Sequence, residues 1–500
     1  MSAYAELEDR AREINRLQEV QAIVHWDEAC MMPSGSGGRR GEALASLSAL
    51  IHEQATAPEI GQLLDQAHGS NEQLSTWQQA NLVELQRRWV EATAVPGDLV
   101  RALAVAQSRC EQTWREARGR NDWAAVQVLL EEVVSLSRTR GDALAAATGL
   151  ERYDALLDSY EPELRRAEVD LIFADLKEFL LPLLDRVVGK QSPPLPLSGP
   201  FPVAAQRGLC EVAMQQLGFD FTRGRFDVSH HPFCGGVPDD TRITTRYSEA
   251  GFLESFMAIC HETGHALYQQ GLPKPWRGQP VGDALGAAVH ESQSLLMELQ
   301  VCRSREFIAL MAPRMREQFT RRADDPAWTV DNLYRHVTRV ERGLIRVDAD
   351  EVSYPLHVIL RYELEQQLMD GTLAVADLPV AWDDAMETYL GLDTRGDFAN
   401  GCMQDVHWFA GLFGYFPTYT LGALSAAQWF AAAREAEPEI VPGIARGEFA
   451  PLLDWLRSNI HQQGRRLTMQ PLLQSVTGEG LNAEFFKQHL QRRYLDQLED

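Results

Sequence analysis

FLESFMAICHETGHALYQQG, Phe252 to Gly271, is the stretch on which the reading of this chain turns. Phe252, Phe256, Ile259, Cys260, Ala266 and Leu267 recur at helical spacing, so the segment reads as a helix with apolar faces. Inside it, His261-Glu262-Thr263-Gly264-His265 sets two imidazoles four residues apart, on one helix face, where both reach a single cation. Glu262, one position on, falls beside that cation without ligating it. That is the place for a base that takes a proton from metal-bound water. Gly264 costs the helix roughly 1 kcal/mol relative to Ala, which predicts a neighbour too close to admit a Cβ.

Two histidines leave a tetrahedral catalytic site one protein ligand short. The HExxHxxGxxH pattern is excluded, because Tyr268 and Gly271 stand where it needs Gly and His. Downstream, Ala287 to Gln300 (AAVHESQSLLMELQ) reads as another helix and carries His290 and Glu291. The gap after His265 leaves room for one loop and a return to a neighbouring helix. Glu291 is therefore the expected third ligand, with Glu298 the competitor, in a two-His, one-Glu site that suits Zn2+ or Co2+.

Outward from this site the helical period runs through most of the chain: Arg10 to Val24, Glu42 to Ile51, Ser75 to Ala92, Gly97 to Arg118, Trp123 to Ala147, Arg166 to Val188 and Val203 to Gly218. Lys190 to Pro202 (KQSPPLPLSGPFP) breaks it with five prolines. The expected organisation is an N-terminal helical region (1–189), a Pro-rich connection or boundary (190–202) and a catalytic helical region (203–500), together one continuous body. Phe219 to Tyr247 has β-branched, alternating texture (FDV, TRITTRY) and predicts one small sheet. No repeat of 20–50 residues is visible, which argues against a solenoid. The fold class is mostly α with one short sheet.

Composition narrows the function classes. With 47 Lys+Arg against 71 Asp+Glu, the net charge is −24, which disfavours nucleic acid and anionic membrane surfaces as partners. Seven scattered cysteines without a CxxC pair argue against a disulfide framework. Met1 to Ala22 is charged and helix-like, and no apolar stretch approaches the ~20 residues needed to span a bilayer. The expectation is a cytoplasmic protein with no membrane association.

Further short motifs accompany HExxH in order: His231-Pro232-Phe233, Asp240-Thr241-Arg242-Ile243-Thr244, His290-Glu291-Ser292-Gln293-Ser294, Ile345-Arg346-Val347-Asp348-Ala349-Asp350, and Gly401-Cys402-Met403-Gln404-Asp405-Val406-His407-Trp408. In these the chain resembles the carboxypeptidase Taq family of zinc metallopeptidases, and Trp26-Asp27 and Met32-Pro33 extend the likeness to the N-terminus. The resemblance implies a large helical, saddle-like body with a deep central active-site groove, a homodimer, and release of single residues from the C-termini of peptides.

That activity assigns tasks to the remaining residues. A peptide's terminal carboxylate is best held by an arginine fork, and Arg346 is the candidate. The competing reading is an ion pair with Asp348 or Asp350 on a buried helix. His407 is a candidate donor to the oxyanion or to the carboxylate, against a core histidine bonded to Asp405. Gly411 to Gly422 (GLFGYFPTYTLG) reads as a loop whose Tyr415 or Tyr419 supplies a phenol to the tetrahedral intermediate; either is equally readable as packing. Asp240 is the candidate acceptor for a ligating histidine's second N–H, with Arg242 and Thr244 holding it, against a turn Asp on a solvated strand. His231 and Phe233 are expected to wall the groove. The rival functions are an internally cutting helical zinc oligopeptidase and a catalytically silent peptide-binding protein. The intact His261, Glu262, His265 and Glu291 set argues against the second.

Overall fold

The computed structural model describes residues 2–70, 73–320, 322 and 324–496. The periodic segments are helices close to their expected limits, among them Ala3–Cys30, Gly37–Ala55, Thr76–Ala94, Gly97–Gly119, Trp123–Thr148 and Arg166–Lys190. Two shorter helices, Pro58–Gly69 and Arg152–Asp158, lie in stretches whose pattern is too brief to read. Among the described residues no helix is long and apolar enough to cross a membrane.

Residues 191–202 form the extended Pro-rich connection. It is fastened at several points: Gln191 exchanges bonds with the backbone of Val340, the Leu195 amide donates to Asn332, and the Phe201 amide donates to the Glu249 carbonyl at 3.0 Å. Phe201 itself is buried against Phe252. One hydrophobic core draws side chains from both sides of this connection, from Val95 to Leu495. A smaller cluster around Tyr4, Leu7, Leu64 and Leu82 holds the N-terminal helices together.

The predicted sheet has three strands, β1 (Gly224–Val228), β2 (Cys234–Val237) and β3 (Asp240–Thr245), in the order β1-β3-β2. β1 runs parallel to β3, with Gly224 opposite Thr241, and β2 runs antiparallel, with Cys234 opposite Ile243. Both β2 and β3 pack on the helix Leu253–Gly271, which carries the HExxH motif. That motif helix also packs on Ala287–Leu295, the glutamate helix, which in turn lies along Pro417–Ala436.

Two local expectations are corrected. Arg346–Asp348 is a single 3-10 turn, not part of a buried helix; Val347 is exposed while Arg346 is buried. Only the first half of Gly411 to Gly422 is loop. Pro417 opens a long helix, because its fixed φ and missing N–H suit a first turn.

Candidate active site

The motif helix and the glutamate helix touch where Gly264 has no side chain. A Cβ there would come within 2.5 Å of the Gln293 carbonyl oxygen and 2.6 Å of Ser294 Cα. This contact is the close neighbour that the glycine predicts, and it brings Glu291 over the two histidines. His261 Nε2 lies 3.9 Å and His265 Nε2 3.5 Å from the Glu291 carboxylate. One ligand atom from each of the three falls within 4.8 Å of the others.

The outward nitrogens are held as well. His261 Nδ1 bonds Glu298 Oε2 at 2.9 Å, and His265 Nδ1 bonds the His290 carbonyl at 3.1 Å, with His290 Nδ1 also 2.7 Å away. These partners occupy each Nδ1 and leave each Nε2 facing Glu291. Glu298 sits on a π-helical segment, Leu296–Cys302, that continues the glutamate helix. Its other oxygen takes a bond from Arg303 at 2.7 Å. Burial works against ionising Glu298, but Arg303 and His261 outweigh it and hold the carboxyl at about 2.

The donor set fits a divalent cation. Burial alone would lower His261, yet Glu291 and the bond to Glu298 drive it up to about 10. Three carboxylates, Glu262, Glu291 and Glu298, thus crowd two imidazoles and draw positive charge to them. Glu262 is buried with its Oε2 lacking any hydrogen-bond partner among the described residues, and burial raises its carboxyl despite the two histidines.

A second cluster lies beside the first. Arg346 is 4% exposed and donates to Asp405 through Nε at 3.0 Å and Nη2 at 2.7 Å, and to the Tyr354 hydroxyl at 2.8 Å. Arg361, on helix Tyr354–Asp370, donates to the other Asp405 oxygen at 2.6 Å. Burial opposes the Asp405 charge, but the two guanidiniums hold it far below the usual carboxylate range. His407 Nε2 meets the Tyr419 hydroxyl at 3.1 Å, and burial with Arg346 pushes His407 down to about 3, so it is neutral. Burial and Glu291 keep Tyr415 protonated, with its phenol up at about 12. Tyr354 and Tyr419 feel both Glu291 and Arg346 and join the two clusters.

The described residues thus hold a trio able to take a metal ion, a buried carboxylate next to it and a buried arginine pair. The family model described as carboxypeptidase Taq (M32) metallopeptidase matches residues 6–494.

The chain belongs to that family.

Among its relatives is thermostable carboxypeptidase 1 of Thermus thermophilus, 41% identical over 99% of this chain and 98% of that protein. The solved structure of Trypanosoma cruzi metallocarboxypeptidase 1 is 42% identical, covers 99% of both chains and superposes with a TM-score of 0.96. The M32 carboxypeptidase of Deinococcus radiodurans is 34% identical, covers all of both chains and has a TM-score of 0.94. This M32 protein is a metallocarboxypeptidase, a peptide hydrolase.

Other predicted positions of the M32 chain fall elsewhere. Asp240 is not the histidine's acceptor, because its carboxylate is turned to Arg242 at 2.6 Å and Glu298 fills that role. Arg242 lies with its guanidinium 4.2 Å from the Trp26 ring, which Arg225 also covers, so the N-terminal helix is clasped to the sheet. Thr244 is buried and bonds Ser229 at 2.7 Å, and it accepts the Phe233 amide at 3.0 Å. The Ser229 hydroxyl donates to the His231 carbonyl. Thr244 thus fixes the His231-Pro232-Phe233 backbone rather than a metal ligand. Arg346 pairs with Asp405, not with Asp348 or Asp350; the Asp350 carboxylate accepts the amides of Glu341, Val352 and Ser353.

Sequence reasoning missed Arg361, Tyr354 and the orienting role of Glu298. Glu298 follows Glu291 by seven residues, a two-turn spacing that is legible once Glu291 is taken as a ligand. Arg361 has no such signal.

Proposed function

We propose that this enzyme binds Zn2+, with Co2+ a workable substitute, through His261, His265 and Glu291, and removes single residues from peptides with a free C-terminus. The observation that carries this reading is the trio of ligand atoms within 4.8 Å beside a buried, unpartnered Glu262 oxygen. When bound, the ion supplies Lewis-acid polarisation and a water acidic enough to be deprotonated near neutral pH. Glu262 takes the proton from the attacking water and passes it to the leaving amine. Tyr415 and Tyr419, kept protonated by burial, donate toward the developing oxyanion, and neutral His407 fixes Tyr419.

The exopeptidase assignment is supported by charge. Arg346 and Arg361 share one Asp405 and leave a buried surplus of one positive charge. Arg361 Nη2 has no hydrogen-bond partner among the described residues. A terminal carboxylate supplies the missing negative charge and acceptors. All seven cysteines are free, which fits the cytoplasm, and the family likeness supports a homodimer.

The test compares one peptide as C-terminal acid and as amide, with zinc-loaded and chelator-stripped enzyme, by mass spectrometry of the products. Stepwise shortening of the acid alone, abolished by stripping, is the expected result. Internal cleavage of both forms would remove the carboxylate role of Arg346 and favour the oligopeptidase reading.

A further inference from the structure

The glutamate helix begins at Ala287, only four residues before Glu291, so the ligand sits in the second turn of a nine-residue element. Helix starts leave their first amides without internal partners, and a start in the protein interior needs acceptors from elsewhere. Here they come from one distant dipeptide. The Ala287 amide donates to the Tyr160 carbonyl at 2.8 Å. The Ala288 and Val289 amides both donate to Glu161 Oε2, at 2.8 and 3.4 Å.

Glu161 is fully buried, and its other oxygen, Oε1, has no hydrogen-bond partner among the described residues. The fit extends to Gly286, where a Cβ would stand 2.3 Å from Glu161 Cδ. The dipeptide is itself fixed. The Glu161 amide bonds the Leu157 carbonyl at 2.9 Å, and the Tyr160 ring meets Tyr415 edge-on at 5.1 Å.

We propose that Glu161 is a positioning residue of the metal centre, setting the depth and rotation of the glutamate helix and so the place of Glu291. The proposal rests on Glu291 being a ligand. Partners that orient metal ligands contribute strongly to metal affinity although they never touch the ion. The side chain was not legible as functional from the sequence, because Glu161 lies 130 positions before Glu291 in an ordinary helix-ending turn.

The experiment is zinc titration of the full-length protein against a competing chelator, with melting temperature measured in parallel. Glu161→Ala is expected to weaken zinc about 10- to 100-fold. Glu161→Gln, whose amide oxygen still accepts both backbone bonds, should retain most of the affinity. Gly286→Ala pushes the carboxylate aside without removing it and should reproduce the loss; it carries the test alone should Glu161→Ala not fold. Asp122→Ala removes an exposed cap from helix Trp123–Thr148 and serves as a control that lowers stability without moving zinc affinity. Wild-type zinc affinity in Glu161→Ala and Gly286→Ala, alongside loss in Glu291→Gln, would overturn the positioning role. Wild-type affinity in Glu291→Gln would instead overturn the ligand assignment, and the positioning role with it.

Discussion

Gly422 lies directly against Glu291: a Cβ on the glycine would stand 2.8 Å from Glu291 Cβ and 2.9 Å from its Cγ. The helix Pro417–Ala436 therefore acts as a backstop for Glu291, and it is the same helix that carries Tyr419. One packed contact couples the His261-His265-Glu291 trio to the phenol cluster. Gly422→Ala has no backbone penalty in a helix, so its cost is overpacking, about 1–3 kcal/mol. The expected outcome is a lowered melting temperature together with weaker zinc binding, measured by thermal unfolding and chelator competition.

Glu298 and Asp240 make a discriminating pair. Glu298 accepts from His261 and is held by Arg303, whereas Asp240 faces Arg242 at the surface of the sheet. Glu298→Gln should weaken zinc by about 10- to 100-fold, the usual cost of losing a carboxylate behind a ligating histidine. Asp240→Asn should leave zinc affinity unchanged. Equal losses in the two variants would restore Asp240 to the site.

How much of this was readable in the sequence follows from the range of each interaction. The spacing of His261 and His265 is a local helical property, and Gly264 announced its close neighbour by its helix cost alone. The strands followed from alternation within a few residues. Arg346, by contrast, was read against Asp348 and Asp350 because those are near in sequence. Its partner Asp405 is 59 positions away and shared with Arg361, a pairing fixed only by tertiary packing. Asp240 failed for the same reason: proximity to a strand motif says nothing about which carboxylate a histidine on a packed helix will face. The start of the helix at Pro417 was concealed by two flanking glycines and the aromatic run.

Glu262→Gln should separate binding from turnover. The Glu262 carboxylate is buried beside the trio without belonging to it, so the substitution preserves size and removes the proposed base. Zinc stoichiometry should remain that of the wild type while kcat falls at least 10²–10⁴-fold, the typical contribution of a positioned base. Substantial residual turnover in a zinc-replete variant would reassign the proton transfer.

Acid stability should depend on Glu351. This residue is fully buried and accepts from His489 at 2.6 Å, Arg493 at 2.9 Å and the Tyr494 hydroxyl at 2.9 Å, tying the C-terminal helix Glu484–Tyr494 to the turn before helix Tyr354–Asp370. Burial opposes its charge, but His489 and Arg493 prevail and hold it at about 2, against 4.5 for the free side chain. A folded-state value below the unfolded one means stability that is complete above about 4.5 and lost as the pH falls toward 2. The shift corresponds to an order of 3 kcal/mol. Denaturant unfolding of the wild type at pH 6, 4 and 3 should show that loss. Glu351→Gln should be less stable at pH 6, where Arg493 is left with an unpaired buried charge, and should show a shallower decline below pH 4.5. An unchanged acid slope in the variant would place the acid-labile charge elsewhere.

The arginine pair predicts a specific kinetic signature. Arg346 and Arg361 converge on Asp405, and in the proposed clamp a substrate's terminal carboxylate would complete their charge. Arg346→Lys keeps the charge but loses the fork that reaches Asp405 and Tyr354 together. Hydrolysis of free-acid peptides should then fall chiefly through kcat/KM, by about 10- to 100-fold for a charge-assisted hydrogen bond of roughly 1.5–3 kcal/mol. Peptide amides, which offer no terminal carboxylate to the pair, should lose little, so the acid-to-amide preference expected of the proposed clamp should narrow. Asp405→Asn is expected to behave differently: it leaves two buried guanidiniums facing each other and should destabilise the fold by about 3–5 kcal/mol before any kinetic effect is read. A preserved acid-to-amide ratio in Arg346→Lys, with the fold intact, would move the carboxylate clamp away from this pair.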